Sequence, residues 1–350
     1  MISVGVAGCG YWGPKHIRVC NERSDAKLVA VCDLDSKKLQ QVKGQYPAVK
    51  TTTRFDEMLE SGIDAVVIAT PVNTHYHLAR EALLHNKHVM IEKPMTSSSE
   101  EAIRLIDLAE KRNLTLMVGH TYQYHPAVDF LKNLVGSGEL GEIFSFDSDR
   151  LNLGLFRPDV NVLWDLAPHD LSIMLTLIND EPVAVSARGA YHVGPNVYDI
   201  AYLEVVFANG AIGNVHVSWL HPRKIRQITI VGSQKMVIYD DLSESEKIHI
   251  YDKGLAISND GNGNGNGQNK FSAWPPNYRY GNVVIPLVSN AEPLQVEFGD
   301  FIKCIVTGSR PKSDGWMGLK VTNILEAADR SLADGGQRQK LDVATLMATV

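Results

Sequence analysis

The sequence holds little cysteine. Four residues in 350, Cys9, Cys20, Cys32 and Cys304, show no paired or metal-type spacing, which excludes a disulfide framework and suits reduced thiols in a cytosol. No apolar run reaches the length of a membrane span. The opening Met1-Ile2-Ser3-Val4-Gly5 lacks the charged and apolar regions of a signal peptide and begins on a strand-like pattern. A basic excess is missing too: 34 Lys plus Arg stand against 40 Asp plus Glu, a balance of −6 with His neutral. That removes the electrostatic footprint of a nucleic-acid or anionic-membrane binder. There is no internal repeat and no serine in a Gly-x-Ser-x-Gly hydrolase context. His75, His77, His120 and His125 have no Cys/Asp/Glu cluster at ligand spacing beside them, so no metal is expected. These absences predict a cytoplasmic, metal-free protein with a small-molecule partner.

What is present is ordinary globular material, 44% hydrophobic and 21% charged, in a chain too long for one core and expected to form two domains. Residues 1–120 alternate short Val/Ile-rich runs (Ser3–Ala7, Leu28–Cys32, Ala65–Ala69, His88–Ile91, Leu114–Val118) with helical stretches (Ser36–Tyr46, Asn73–His85, Ser98–Arg112). Runs without polar alternation suit parallel strands buried on both faces, and the alternation with helices makes a doubly wound α/β sheet. Beyond residue 120 the pattern changes. Helices are predicted over Pro126–Leu134, Leu166–Ile178, Leu294–Thr307 and Met317–Leu332. Strands are predicted over Val183–His192, Tyr198–Phe207, Ala211–Trp219, Ile225–Val231 and Met236–Tyr239, with an Asn209-Gly210 hairpin signal. Residues 121–350 therefore read as an α+β domain with an open, mostly antiparallel sheet. The Asn/Gly-rich tract 259–268 can bury nothing and reads as a surface loop.

The first strand runs into Gly8-Cys9-Gly10-Tyr11-Trp12-Gly13 and then a helical stretch. In such a loop the first glycine allows the tight turn, the second admits a pyrophosphate, and the third lets helix and strand pack. Asp33 ends the second strand twenty residues beyond Gly13, where a carboxylate meets a ribose. The N-terminal half is thus a Rossmann domain binding a dinucleotide. Asp33 meets a 2′-phosphate with like charge, which favours NAD over NADP. Thr70, Pro71, Asn73 and His75 end the next long strand and either touch the cofactor or, for Asn73 and Thr74, cap the following helix. Lys93, in Glu92-Lys93-Pro94, points into the ligand crevice, where it either polarises an oxygen or grips a phosphate. Asp165 and His169 are four apart and share a helix face, so a carboxylate can orient an imidazole, or they simply cap and fill. Pro168 between them fits a helix's first turn.

Together, Gly8-x-Gly10-x-x-Gly13, Glu92-Lys93-Pro94 and Asp165-x-x-x-His169 resemble the glucose–fructose oxidoreductase, inositol dehydrogenase and rhizopine catabolism (Gfo/Idh/MocA) family, over essentially the whole chain. The resemblance implies NAD-linked hydride transfer, with Lys93, His169 and Asp165 catalytic, Gly8, Gly10, Tyr11, Trp12, Gly13, Asp33, Thr70, Pro71, Asn73, His75, Glu92 and Lys93 about the cofactor, and a cis Lys93–Pro94 bond. It also implies a homo-oligomer built through the C-terminal sheet. The stretch from Arg150 to Asp165 looks like members acting on UDP-N-acetyl sugars or their uronic acids. Asn161-Val162-Leu163-Trp164 replaces the glycine-rich run of many relatives. Arg150, Asn152 and Arg157 are substrate candidates or surface residues. A free sugar, inositol or dTDP-sugar is the alternative substrate, and a dinucleotide-sensing regulator the alternative class.

Overall fold

The computed structural model describes residues 1–341 except 155, 158–159, 195–196 and 257–276. The Asn/Gly-rich tract falls outside the described residues.

The first half alternates without interruption: β1 (Ile2–Ala7), α1 (Gly13–Glu22), β2 (Ala26–Cys32), α2 (Ser36–Gln45), β3 (Lys50–Thr52), α3 (Phe55–Leu59), β4 (Ala65–Ile68), α4 (Val72–Leu84), β5 (His88–Glu92), α5 (Ser99–Lys111) and β6 (Leu116–Gly119). The strands pair in parallel in the order β3-β2-β1-β4-β5-β6. Val4, Val6, Ala65–Ile68 and Val89–Ile91 are all buried, because helices cover both faces of the central strands. The order reverses between β1 and β4, so the carboxyl ends of these two strands open the crevice in which such sheets bind ligands.

A 3₁₀ turn (Thr121–Tyr124) leads into the second half: α6 (Pro126–Gly136), β7 (Ile143–Leu153), α7 (Val162–Ile178), β8 (Pro182–Ala190), β9 (Ile200–Phe207), β10 (Ile212–Ser218), β11 (Leu220–Gly232), β12 (Met236–Asp240), β13 (Ile248–Ala256), β14 (Asn277–Val284), α8 (Pro293–Thr307), α9 (Gly315–Ala333) and β15 (Gln339–Lys340). Nine strands form one sheet in the order β14-β13-β12-β11-β7-β10-β9-β8-β15, antiparallel except for β7 beside β10. Its inner face carries Phe146, Leu203, Val205, Val215, Val217 and Ile230 against α7. Its outer face shows Tyr202 stacked on His216, ring centroids 4.1 Å apart.

The C-terminal helices return to the first half. Leu294, Phe298, Phe301 and Ile302 of α8 share a core with Val4, Val6, Ile17 and Val67. Along α9, Leu319 joins Met95 and Val118, while Ile324, Leu325 and Ala328 join the core under the large sheet.

One helix differs from expectation. α7 begins at Val162, four residues before Leu166, because the Asn161 side chain accepts from the Trp164 amide at 3.2 Å and caps it. Pro168 consequently lies inside the helix. It donates nothing to the Trp164 carbonyl, an interior defect of about 3 kcal/mol in an isolated helix.

Candidate functional site

A cleft of about 1070 Å³ runs between the two halves. Its first wall is the glycine loop. Gly8 has φ +94°, and a Cβ there would sit 2.5 Å from the Ala69 carbonyl oxygen, so only glycine turns the chain here. A Cβ on Gly13 would come to 1.9 Å from the Gly8 oxygen, so Gly13 underlies the loop without facing the cleft, while Gly10 fronts open space on the cleft side. The arrangement leaves a cradle at the N-terminus of α1 that fits the pyrophosphate of NAD. Asp33 follows β2; one carboxylate oxygen accepts from the Cys9 amide at 2.5 Å and the other from the Asp35 amide at 2.8 Å. That carboxylate holds the loop and borders the cleft. Burial, reinforced by Asp33, pushes the Cys9 thiol up to about 12, and burial pushes Cys32 to about 11, so both remain unreactive thiols.

Thr70, Pro71 and His75 border the cleft; Asn73 is exposed and does not. Neither Asn73 nor Thr74 caps α4: the N-cap is Pro71, and the Thr74 hydroxyl donates back to the Pro71 carbonyl at 2.7 Å. His75 is buried with its ring nitrogens 2.9 Å from the Pro94 carbonyl and 2.8 Å from the Thr70 carbonyl. It therefore ties the end of β4 to the turn after β5. Burial holds its pKa below the usual range. Glu92 pairs with Nε2 of the buried His16 at 2.7 Å. Gly119 leaves room for that carboxylate, since a Cβ there would lie 3.2 Å from it.

Lys93 projects from the end of β5 across the cleft to α7. Its ammonium donates to the backbone carbonyl of Asp165 at 2.5 Å and lies 4.0 Å from the Asp165 carboxylate. The Lys93–Pro94 bond is cis. Burial lowers the lysine's pKa, with Asp165 and then Glu92 opposing the shift. Asp165 and His169 share a helix, but the carboxylate does not orient the imidazole. Asp165 instead accepts from the Trp219 indole at 3.1 Å and from Arg157 at 3.5 Å. The physical reason is the direction of α7: the Asp165 side chain leans over the preceding turn toward β11. His169 lies against the Tyr122 ring, centroids 4.7 Å apart, with Nδ1 buried and unpartnered. Burial first, then Lys93 and Arg150, hold its pKa well below 6.5, so the ring is a neutral imidazole. His120, beneath it, is held to about 3 by burial and Lys93.

Arg150 is buried and spent on Asp170: Nε donates to one carboxylate oxygen at 2.6 Å and Nη2 to the other at 3.0 Å. It borders the cleft as a fixed charge. Asn152 and Arg157 border the cleft as well. Sequence reasoning missed Tyr122, Trp219 and Arg226, all on the cleft. Nothing local marks them, since each acquires its role only where β7, α7 and β11 meet.

Residues 2–120 match the profile described as "Oxidoreductase family, NAD-binding Rossmann fold", and residues 128–238 match the "GFO/IDH/MocA C-terminal domain". The chain is 31% identical over 258 residues to a UDP-N-acetylglucosamine 3-dehydrogenase of Acidithiobacillus ferrooxidans, covering 71% of this chain and 77% of the relative. It is 30% identical over 348 residues to an inositol 2-dehydrogenase of Rubrobacter xylanophilus, covering 97% and 93%. A solved structure of the Acidithiobacillus ferrooxidans enzyme superposes with a TM-score of 0.78 at 27% identity, over 95% of this chain and 98% of that one. With both halves matched, the chain belongs to the Gfo/Idh/MocA family of NAD-binding oxidoreductases.

Proposed function

We propose that this protein oxidises a ring hydroxyl of a nucleotide sugar, a UDP-N-acetylhexosamine or its uronic acid at C3, and reduces the corresponding ketone in reverse. The observation that carries the substrate class is charge. Lys93, Arg150, Arg157, Lys224 and Arg226 border the substrate side of the cleft, with Asp165 as the acid among them. Lys224 is exposed and has no acidic partner among the described residues. The phenol of Tyr11, on the same cleft, is held below its usual range chiefly by Lys15, with smaller contributions from Arg226 and Lys224. With Arg150 held by Asp170, Arg226 by Asp241 and Arg157 by Asp165, Lys224 is the cation on this lip that suits a diphosphate, and a polyol leaves it unused. The similarity to a UDP-N-acetylglucosamine 3-dehydrogenase supports the same class.

Bound NAD supplies the hydride acceptor. His169, neutral and with an unpartnered Nδ1, takes the proton of the substrate hydroxyl. Lys93 donates to the same oxygen as charge develops there. Asp165 keeps the ammonium in place through its carbonyl and is itself fixed by Trp219. The open outer face of the large sheet, with Tyr202 and Ile212 exposed, is the surface through which copies associate.

The test follows nicotinamide absorbance with NAD and a panel of UDP-N-acetylglucosamine, its uronic acid, dTDP-glucose, N-acetylglucosamine and myo-inositol. UDP-sugars are oxidised and free sugars are not. Turnover of myo-inositol alone overturns the substrate class; no turnover of any member, with NAD bound, favours a dinucleotide-sensing regulator.

A further inference from the structure

The geometry points to Tyr122 as a substrate-contacting hydrogen-bond donor, oriented by Arg226; the inference rests on the dehydrogenase reading above. Tyr122 sits in the 3₁₀ turn that follows β6, and the turn is pinned on both sides. The Thr121 hydroxyl donates to the buried Glu297 carboxylate at 2.8 Å, and the Gln123 amide donates to the Ser172 carbonyl of α7 at 3.2 Å. The Tyr122 ring therefore has a fixed place against His169, and the Arg150 guanidinium lies over it, 4.6 Å from the centroid.

The phenol oxygen accepts from Arg226 Nη1 at 2.5 Å. Arg226 is aimed by Asp241, which accepts from it at 3.2 Å and from the Tyr239 hydroxyl at 3.0 Å. A guanidinium has no acceptor atom, so neither arginine takes the phenol's own proton. Among the described residues the groups that interact with this oxygen are guanidinium donors, Arg226 and beside it Arg150. Tyr122 borders the cleft beside the imidazole, and the acceptor that remains is a substrate oxygen near the reacting carbon. A cation donating into the phenol oxygen polarises its O–H. Arg226 thus acts on the substrate through Tyr122, and the favoured acceptor is a strong one: a carboxylate oxygen, the alkoxide as it forms, or the polarised carbonyl oxygen of an acetamido group.

Tyr122→Phe keeps the ring against His169 and removes only the hydroxyl. On whichever panel member the wild type oxidises best, kcat/KM falls ten- to a hundredfold, with NAD affinity by calorimetry and Tm unchanged. Arg226→Met lowers kcat/KM in the same direction, and the double variant is no worse than the poorer single one, because both act through one contact. Additive losses, or a Tyr122→Phe enzyme within twofold of wild type, overturn the inference while the dehydrogenase reading stands. If the wild type oxidises no panel member, that reading fails. Calorimetry of the NAD-loaded protein with UDP-N-acetylglucosamine then decides: tenfold weaker binding by Tyr122→Phe supports the contact, and equal or undetectable binding by both proteins overturns it.

Discussion

The two walls of the cleft are built on different principles. The wall over the N-terminal sheet is largely backbone: a loop whose glycines keep atoms out, held by a carboxylate that accepts from two amides. The facing wall is side chains drawn from β5, β7, α7 and β11, each fixed by a partner far away in sequence, such as Arg150 on Asp170 or Asp165 on Trp219. One wall is vulnerable to atoms added, the other to atoms removed.

The sharpest break of that contrast comes from deletion on the side-chain wall. Lys93→Ala and His169→Ala are each expected to lower kcat by about a thousandfold, while calorimetric NAD affinity stays within a few-fold. Near-normal turnover in either variant would remove that residue from the chemistry.

Addition on the backbone wall is expected to do the opposite. Gly10→Ala meets no protein atom within 4 Å, so Tm should hold while NAD affinity drops about tenfold or more as the methyl enters the cradle. Gly13→Ala, forced onto the Gly8 carbonyl, should lose both NAD binding and a few kcal/mol of stability. If the two variants behave alike, the separation of cradle from packing is wrong.

Asp33 belongs to both principles. Asp33→Ser should weaken NAD several-fold and narrow the ratio of catalytic efficiencies for NAD over NADP. A wild type that uses both cofactors equally would mean that the carboxylate serves only the Cys9 and Asp35 amides.

How much of this was legible depended on whether a residue's partners lie nearby. The parallel sheet was readable from the alternation of strands and helices over residues 2–119, and the glycine turn because strand, loop and helix follow one another directly. The helices at Pro126 and in the C-terminal segment were readable from their periodicity. β7 was not, since its inward positions include Ser148 and Arg150: polar side chains, buried only because Asp170 satisfies them both, break the apolar alternation that marks a strand. The true start of α7 was hidden by placing Pro168 at a helix start instead of reading Asn161 as its cap. The pairing of Asp165 with Trp219 spans 54 residues, and no local pattern records it.

A further expected effect concerns acid stability. His120 has its pKa depressed to about 3 in the fold, against 6.5 unfolded. The unfolded chain therefore binds the extra proton between these values. The stability this histidine contributes is complete above pH 6.5 and is lost as pH falls toward 3, by about 1.4 kcal/mol per pH unit. His169, also depressed, acts in the same sense. Urea midpoints from pH 7 to pH 5 should fall for the wild type, and the slope should be shallower by about one proton in His120→Phe. An unchanged slope would place the acid sensitivity elsewhere.

The return of α8 has a consequence for how the protein is made. The face of β1 and α1 that Phe298 and Phe301 cover leaves the ribosome about 280 residues ahead of them. At roughly 5–20 residues per second that face waits on the order of 15–55 s for its cover. The nucleotide-binding half is thus first to be translated and last to be sealed, and a nascent chain stalled before residue 293 presents an apolar face to whatever is near it.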